Sequence, residues 1–450
     1  AESLALRELV LGLSADDPEA EARGREAIAL VLGRMGKHDE AEAEHRSILE
    51  LRRSSLGPEH PDLALSRNNL GNELYAQGRY DEAETQYRAS LEVRERALGP
   101  AHPEVAASHN NLGLVLQAQG KYDEAAAEHE LALALRTAAL GDAHPSLAAS
   151  HNNLGMVLQL QGKLDEAEAR YRAAMAIWSD TIGADHPNIA RVRANLGTIL
   201  SSQGRHDEAE QEYRAALAVQ IERLGAEHPD LTSIRHNLAI TLSGQGRLAE
   251  AEAEFRAVVE HRTAAYGAEH PEVASSRGGL ANVLLDQGKL EEAEAEHRAA
   301  LTLMTRALGA DHPAVATAHQ NLGVVLERRG RDDEAEAQHR AALEARIRSL
   351  GDDHPDVAGA LLGLGSVLIR GGRRSEGLPL LERAWEIEQR AEPTSPARAR
   401  AAFELAQALW ADRSERARAR SLAEDAYQSH ETFDDPDGRA EVAAWLRTHT

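Results

Sequence analysis

The sequence predicts an all-α solenoid of stacked antiparallel helix pairs, and three observations lead there. The dipeptide His-Pro occurs eight times at a constant spacing of 42 residues, with its histidines at His60, His102, His144, His186, His228, His270, His312 and His354. A fixed period of this length is typical of repeated supersecondary units rather than of one globular core. Aromatic residues make up only 3% of the chain, which suits closely packed helices. Glycine or proline recurs too often for a coiled coil, and no segment shows the period-two alternation of a strand.

The first helix of each repeat is predicted to begin at the proline, as residues 61 to 99 show. Pro61 has the backbone angle of a first helical turn and lacks an amide that would be unpaired there, and His60 would be the N-cap. Gln77-Gly78 would end the helix, since glycine readily adopts a left-handed conformation. An apolar stripe of helical period runs between these limits, at Leu63, Leu70 and Leu74, with the small residues Ala64 and Gly71 beside it.

The second helix is predicted to begin near Tyr80 and to end at Gly99. Asp81, Glu82 and Glu84 fall where the positive end of the helix dipole favours carboxylates. Ala83, Tyr87 and Leu91 supply its apolar face. Neither helix can bury its apolar stripe alone, so each pair has to stack on the next.

This pattern resembles the tetratricopeptide repeat, in which a small residue such as Gly71, an aromatic such as Tyr87 and a Gly-x-Tyr-x-Glu-Ala phrase recur. The 42-residue form resembles the kinesin light chain class, with Asn-Asn-Leu-Gly at residues 110–113, Gly-Lys-Tyr-Asp-Glu-Ala at 120–125 and Leu-Gly-x-x-His-Pro at 98–103. The resemblance covers about residues 20 to 390. It implies a right-handed superhelix whose first helices line a concave groove. The chain contains no heptad segment, so a motor-cargo role is not implied.

The domain organisation follows from where the repeat is regular. We expect a leading helix at 1–17, a degenerate first repeat at 18–60, seven regular repeats at 61–354, a divergent repeat at 355–392 and a C-terminal helical pair with a capping helix at 393–450. Trp385, Trp410 and Trp445 would seal the stack as part of this closing cap. The tail resembles repeat regions that follow kinase domains in some large bacterial proteins. Together with a first residue other than Met, this suggests a piece of a longer bacterial protein.

Composition narrows the function classes. The net charge of −24 argues against nucleic acid as a partner, because phosphate binding needs a basic surface. No apolar run is long enough to span a membrane, so no membrane association is expected. Cysteine is absent, which excludes thiol catalysis and thiolate metal sites and leaves the cytoplasm as the default compartment.

A column of asparagines marks the candidate binding surface. Positions 65, 69, 72 and 76 lie opposite the apolar stripe of the first helix, and position 69 of the repeat is asparagine at Asn69, Asn111, Asn153, Asn195, Asn237 and Asn321. Asparagine is a mediocre helix former, so six of them inside helices need a reason. One reason is ligand binding, because an amide can pair with the backbone of an extended peptide. The matching asparagines of kinesin light chains are expected, by resemblance, to do this. The alternative is structural, with each asparagine bonding to a neighbouring helix.

The other groove positions would select the ligand. The early ones include Leu65, Asn72, Leu114, Met156 and Leu160, while later positions carry Arg191, Thr198, Ser202, Ser233, Arg328 and Arg370. This pattern predicts an apolar end towards the N-terminus and a basic end towards the C-terminus. Glycine replaces the asparagine at Gly279 and Gly363.

Four histidines and one tryptophan are candidates for structural rather than functional roles. His45, His129, His297 and His339 occupy the slot of Tyr87 and are expected to be packing residues. Trp178 interrupts a column of arginines and would either fill a gap or serve as a binding hot spot. No catalytic, cofactor or metal motif is found, and single histidines one repeat apart cannot share a metal ion.

We therefore predict a non-enzymatic protein-protein interaction module that binds an extended peptide or partner protein in the groove. The alternative is a passive scaffold or spacer, or a self-associating solenoid, in which the asparagines are structural.

Overall fold

The computed structural model describes residues 17–226, 228–390, 396–432 and 435–449. These residues form 21 α-helices and one 3-10 turn, with no strand among them. The predicted leading helix at 1–17 lies outside the described residues, apart from Asp17, which caps the first described helix. Residues 391–395, where the predicted divergent repeat meets the C-terminal helices, also lie outside them.

The helices fall into two compact units, the first ending at Arg223 and the second beginning at Leu224. The helices that begin in the first unit are α1 (Pro18–Arg34), α2 (His38–Leu56), α3 (Pro61–Ala76), α4 (Tyr80–Leu98), α5 (Pro103–Ala118), α6 (Tyr122–Leu140), α7 (Pro145–Leu160), α8 (Leu164–Ile182), α9 (Pro187–Ser202) and α10 (His206–Leu224).

The second unit opens with a 3-10 turn, Pro229–Leu231. Its helices are α11 (Thr232–Gly244), α12 (Leu248–Tyr266), α13 (Pro271–Asp286), α14 (Leu290–Leu308), α15 (Pro313–Arg328), α16 (Asp332–Leu350), α17 (Pro355–Arg370), α18 (Arg374–Arg390), α19 (Pro396–Leu409), α20 (Arg416–Thr432) and α21 (Pro436–Thr448). Within each unit a helix packs against its partner and against the next pair, so the predicted all-α solenoid is confirmed.

The His-Pro phrase starts the first helices in the predicted way. His60 has an extended backbone conformation, and its Nδ1 accepts the backbone N–H of Asp62 at 3.2 Å. The same bond recurs at all eight histidines of the phrase. The copy at His228 differs in one respect, because a 3-10 turn precedes α11 there. These imidazoles are therefore helix caps, which explains why they recur in every repeat.

An aromatic ring fills a notch at a glycine inside each regular pair of the first unit. The ring of Tyr87 lies so close to Gly71 that a Cβ there would come within 2.7 Å of it. His129 occupies the same slot against Gly113 and is fully buried. His45, His297 and His339 are buried as well, so the packing role predicted for these histidines is confirmed.

Buried side chains of the second helices connect one pair to the next. Arg94 of α4 donates to Ser108 Oγ of α5 at 2.7 Å. Trp178 stands in the corresponding place on α8, where the serine is replaced by Val192. Only 4% of Trp178 is exposed, which favours the gap-filling interpretation over a binding hot spot.

The C-terminal tryptophans pack into the last core cluster of the second unit. Trp385 is buried there, and Trp410 and Trp445 meet edge to face with ring centroids 5.3 Å apart. Their role as a closing cap stays a prediction. In the described part of the chain, no helix has the length and apolar character needed to cross a membrane.

The buried His129 generates a testable pH dependence. Both of its ring nitrogens are buried without a hydrogen-bond partner, and so is Oε1 of Gln117, twelve residues before it. In the next repeat the equivalent residues are paired, because the Tyr171 hydroxyl donates to Gln159 Oε1 at 3.1 Å. Burial lowers the pKa of His129 to about 4. As the pH falls, an unfolded chain takes up the proton near pH 6.5, before the folded chain does. His129 should therefore contribute stability above pH 6.5 and lose it as the pH falls towards 4.

Replacing His129→Tyr should remove this acid sensitivity and pair the hydroxyl with Gln117. We expect the variant to lose about 2–3 kcal/mol less free energy of unfolding than the parent between pH 7 and pH 4, by urea denaturation. The reciprocal change Tyr171→His is the control and should add acid sensitivity. Equal losses in parent and His129→Tyr would contradict this explanation.

Candidate functional site

The solvent-facing sides of α3, α5, α7 and α9 form one surface of the first unit, the first-helix face. It arises because the stripe at Leu63, Leu70 and Leu74 is buried, which leaves the opposite side of each helix open. Leu65 is 39% exposed and Leu160 is 50% exposed. The remaining predicted site residues of this unit are half-buried or exposed, namely Asn69, Asn72, Leu114, Met156, Asn111, Asn153, Arg191 and Asn195.

The asparagines of the first unit link neighbouring first helices. Asn111 Nδ2 donates to Asn68 Oδ1 at 2.8 Å, and Asn153 Nδ2 donates to Asn110 Oδ1 at 3.0 Å. Asn195 and Asn152 make the same contact at 3.4 Å. We call the donors the ladder asparagines; they are Asn69, Asn111, Asn153 and Asn195. Each bond spans 43 residues and joins successive pairs, as the structural alternative expects.

The first contact of this series uses a carboxylate in place of an amide. Asn69 Nδ2 donates to Glu26 Oε1 at 2.8 Å, and Glu26 also pairs with Arg52 at 3.2 Å. The acceptor of Asn69 is therefore held in place by an ion pair with Arg52, which fixes this end of the series.

The bonds between helix pairs leave part of most of these amides unused. No hydrogen bond among the described residues engages Oδ1 of Asn69, Asn111 or Asn195, or Nδ2 of Asn68 or Asn110. Asn153 is the exception, because its Nδ2 donates to Asn110 and its Oδ1 accepts from Asn152 Nδ2 at 3.3 Å. The face thus presents acceptors and donors that recur with the repeat.

The acceptor residues were missed by the sequence analysis. Asn68, Asn110 and Asn152 each directly precede a ladder asparagine. The doubled asparagine of the Asn-Asn-Leu-Gly phrase is the feature of the sequence that marks these acceptors. A spacing of 43 rather than 42 residues shows that donor and acceptor occupy adjacent positions of the repeat, so they lie on different edges of their helices.

The other polar residues of the face are tied to the rings beneath it. Tyr87 donates its hydroxyl to Asn72 Oδ1 at 2.8 Å, and the Tyr213 hydroxyl lies 3.0 Å from Thr198 Oγ1. Asn152 Nδ2 also contacts Met156 Sδ at 3.6 Å. These bonds hold the floor of the face in place and leave the ladder asparagines with the unused polar atoms.

The first-helix face is almost uncharged in an acidic protein. At repeat positions 65, 68, 69, 72 and 76 of α3, α5, α7 and α9, the one charged residue is Arg191. The chain as a whole has a net charge of −24. The acidic side chains therefore lie on other surfaces.

In the second unit the ladder is interrupted for a steric reason. Asn237 and Asn321 are half-buried on α11 and α15, at the predicted positions. At Gly279 an added Cβ would lie 2.4 Å from the Phe255 ring, and at Gly363 it would lie 2.7 Å from the His339 ring. The ring of the preceding pair occupies the space that an asparagine side chain would need.

The predicted basic residues of the second unit are partly neutralised. Arg370 pairs with Glu327 at 2.5 Å, and Glu327 also contacts His339 Nε2 at 2.5 Å. Arg328 is exposed, and its Nη1 lies 3.5 Å from the Leu285 carbonyl oxygen. In the described residues, no group of three or more histidines and carboxylates is arranged to hold a metal ion.

Comparison with known proteins identifies the repeat. The family model described as tetratricopeptide repeat matches residues 19–96, 74–138, 104–177, 146–222, 194–264, 230–295, 272–348 and 321–376. The chain belongs to the tetratricopeptide repeat family. These tetratricopeptide repeats match most of the chain, so the predicted family is confirmed. This match points to no catalytic family. No curated protein matches the chain.

Several solved structures are similar to this tetratricopeptide repeat protein. BtubC (BKLC) from P. vanneervenii is 24% identical, with 51% of this chain and 89% of that chain covered and a TM-score of 0.43. The putative kinesin light chain of Podosopora anserina, with nearly identical TPR-like repeats, is 26% identical over 46% of this chain and 99% of that chain, with a TM-score of 0.42. The apo form of RapI is 13% identical, with coverages of 64% and 98% and a TM-score of 0.51, which shows the fold alone.

The glycine pair in α13 provides a test of the steric interruption. Gly279→Ala should destabilise the second unit by about 1–3 kcal/mol, because its methyl group would overlap the Phe255 ring. Gly278→Ala is the matched control, since its methyl group would meet nothing within 4 Å and alanine favours the helix. Calorimetric melting of both variants distinguishes the two effects. Equal melting temperatures for the two variants would disprove the proposed overlap.

Proposed function

We propose that this chain is a non-enzymatic protein-interaction module that binds an extended peptide segment along the first-helix face of the first unit. The observation that carries the proposal is the repeating set of unused amide atoms at the ladder asparagines, on a half-exposed and almost uncharged surface. Tetratricopeptide repeats are in general scaffolds for protein-protein interaction. The strongly acidic composition argues against nucleic acid as the partner.

The spacing of the ladder suits an extended backbone. Packed helices lie about 8–10 Å apart, and an extended chain advances about 3.3 Å per residue. One ladder amide per pair therefore corresponds to about every third residue of a peptide. Oδ1 of Asn69 and Asn111 would accept backbone N–H groups of the peptide. This mode reads the backbone and is independent of the ligand's side chains.

The side chains around the ladder would select apolar residues. Leu65, Leu114, Met156 and Leu160 are exposed or half-buried on the same face, and methionine adapts its shape to different partners. Arg191 adds one positive charge at the α9 end of the face. The expected ligand is an extended segment with apolar anchors, an acidic residue at one end and no other charge.

The second candidate function is a passive spacer in which the asparagines only fix the stacking of the helix pairs. Such a spacer could also associate with further copies of itself. The bonds from Asn111 to Asn68 and from Asn153 to Asn110 favour this candidate. The two candidates use different atoms of the same amides. A variant that removes the bond between pairs but keeps the ladder asparagine therefore separates them.

A peptide from a random display selection on the intact chain serves as the probe. Replacing Asn69→Ala together with Asn111→Ala removes two ladder side chains whose Oδ1 is unused, and Asn68→Ala together with Asn110→Ala removes two acceptors of the bonds between helix pairs and keeps every ladder asparagine. With about 1 kcal/mol for each lost hydrogen bond, the ladder double variant should bind the peptide at least about tenfold more weakly than the partner double variant. Fluorescence anisotropy measures the affinities, and circular dichroism melting checks that both variants remain folded.

The outcomes separate the two candidates. Unchanged affinity after loss of both ladder asparagines would rule out the ladder as a binding element. An intact chain that selects no peptide but sediments as oligomers at rising concentration would favour the spacer. Asn321→Ala in the second unit is the neutral control and should leave the affinity unchanged.

A further inference from the structure

Five arginines recur on the second helices at multiples of 42 residues. We call them the arginine column; its members are Arg52, Arg94, Arg136, Arg262 and Arg346. Four reach a serine hydroxyl on the next first helix, at Ser66, Ser108, Ser150 and Ser276. Their guanidinium groups are buried or half-buried, so each positive charge needs a compensating group nearby.

For two members of the column that compensating group is a carboxylate in the chain's own next helix, whereas Arg52 pairs with acids of α1. Arg94 pairs with Glu104 Oε2 at 3.2 Å, and Arg262 pairs with Glu272 Oε2 at 3.1 Å. In both cases the acid follows the arginine by ten residues and lies in the first turn of the next helix. The Glu104 side chain is 55% exposed, so the site opens to solvent on the carboxylate side.

Arg136 is the exception. Every other member of the column has Asp or Glu ten residues later, whereas Arg136 has Ser146. Among the described residues no carboxylate pairs with Arg136, whose hydrogen bond goes to Ser150 Oγ at 2.5 Å. The Ser146 hydroxyl lies 2.8 Å from His144 Nδ1 instead. Burial lowers the pKa of the Arg136 guanidinium, with no carboxylate to oppose the shift, yet the group stays charged at neutral pH.

We propose that the Arg136 guanidinium and the first turn of α7 at Ser146 form an oxyanion site that takes a carboxylate or phosphate group from outside the chain. The oxyanion would occupy the place that Glu104 and Glu272 fill in their own repeats. Two features favour it there: the guanidinium and the positive end of the α7 dipole. The site does not depend on peptide binding at the ladder asparagines.

Nuclear magnetic resonance of the arginine side chains tests the proposal on the full chain. The Nε–Hε signal of Arg136, assigned by its loss in Arg136→Lys, should shift on titration with inorganic phosphate at constant ionic strength. Acetate should shift the same signal, since it carries the carboxylate chemistry. The Arg94 signal should stay in place, because Glu104 already occupies its site.

Substitutions in both directions make the test specific. Ser146→Glu should abolish the Arg136 shift by supplying an internal carboxylate, whereas Ser146→Gln, of similar size but uncharged, should keep it. Glu104→Ser should make the Arg94 signal respond to phosphate. An Arg136 signal that ignores both anions, or that responds equally in the Ser146→Glu variant, would overturn the proposal.

Discussion

The fixed step from one helix pair to the next is the constraint on which the rest of the structure depends. A single pair has more apolar surface than it can bury, so its stability requires a neighbour in a defined position. Contacts between pairs recur at constant sequence separations, as in Arg94 to Ser108, Arg79 to Glu42 and Asn111 to Asn68. The glycine notch that receives Tyr87 sets how closely the helices of one pair approach.

The fixed step also explains how a ladder asparagine can bond to the neighbouring helix pair and still have an atom for a ligand. An amide has a donor group and an acceptor oxygen, and the contacts between pairs use only the donor of Asn111. Stacking thereby orients the side chain and leaves Oδ1 directed away from its partner bond. A ligand would meet a set of oriented acceptors whose conformational entropy has already been lost on folding, which favours binding. At Gly279 the Phe255 ring occupies the space of such a side chain, and the column has no asparagine there.

Much of the fold could be predicted from the sequence because its determinants are local. The cap at His60, the helix ends at Gly78 and Gly99, and the ring slot of Tyr87 all lie within one repeat phrase. What could not be predicted depends on neighbours in another pair. The acceptor Asn68, the overlap of Phe255 with position 279 and the burial of Trp178 require the stacking geometry. The exception at Arg136 was visible in the sequence, but its meaning required the ion pair at Arg94.

The most direct test of the account is a crystal structure of the chain with a peptide selected against it. We expect an extended peptide on the first-helix face, with backbone nitrogens about 3 Å from Oδ1 of Asn69 and Asn111. The contacts of these asparagines with Glu26 and Asn68 should still be in place. A peptide bound on another surface, or one that leaves both oxygens without a ligand contact, would contradict it.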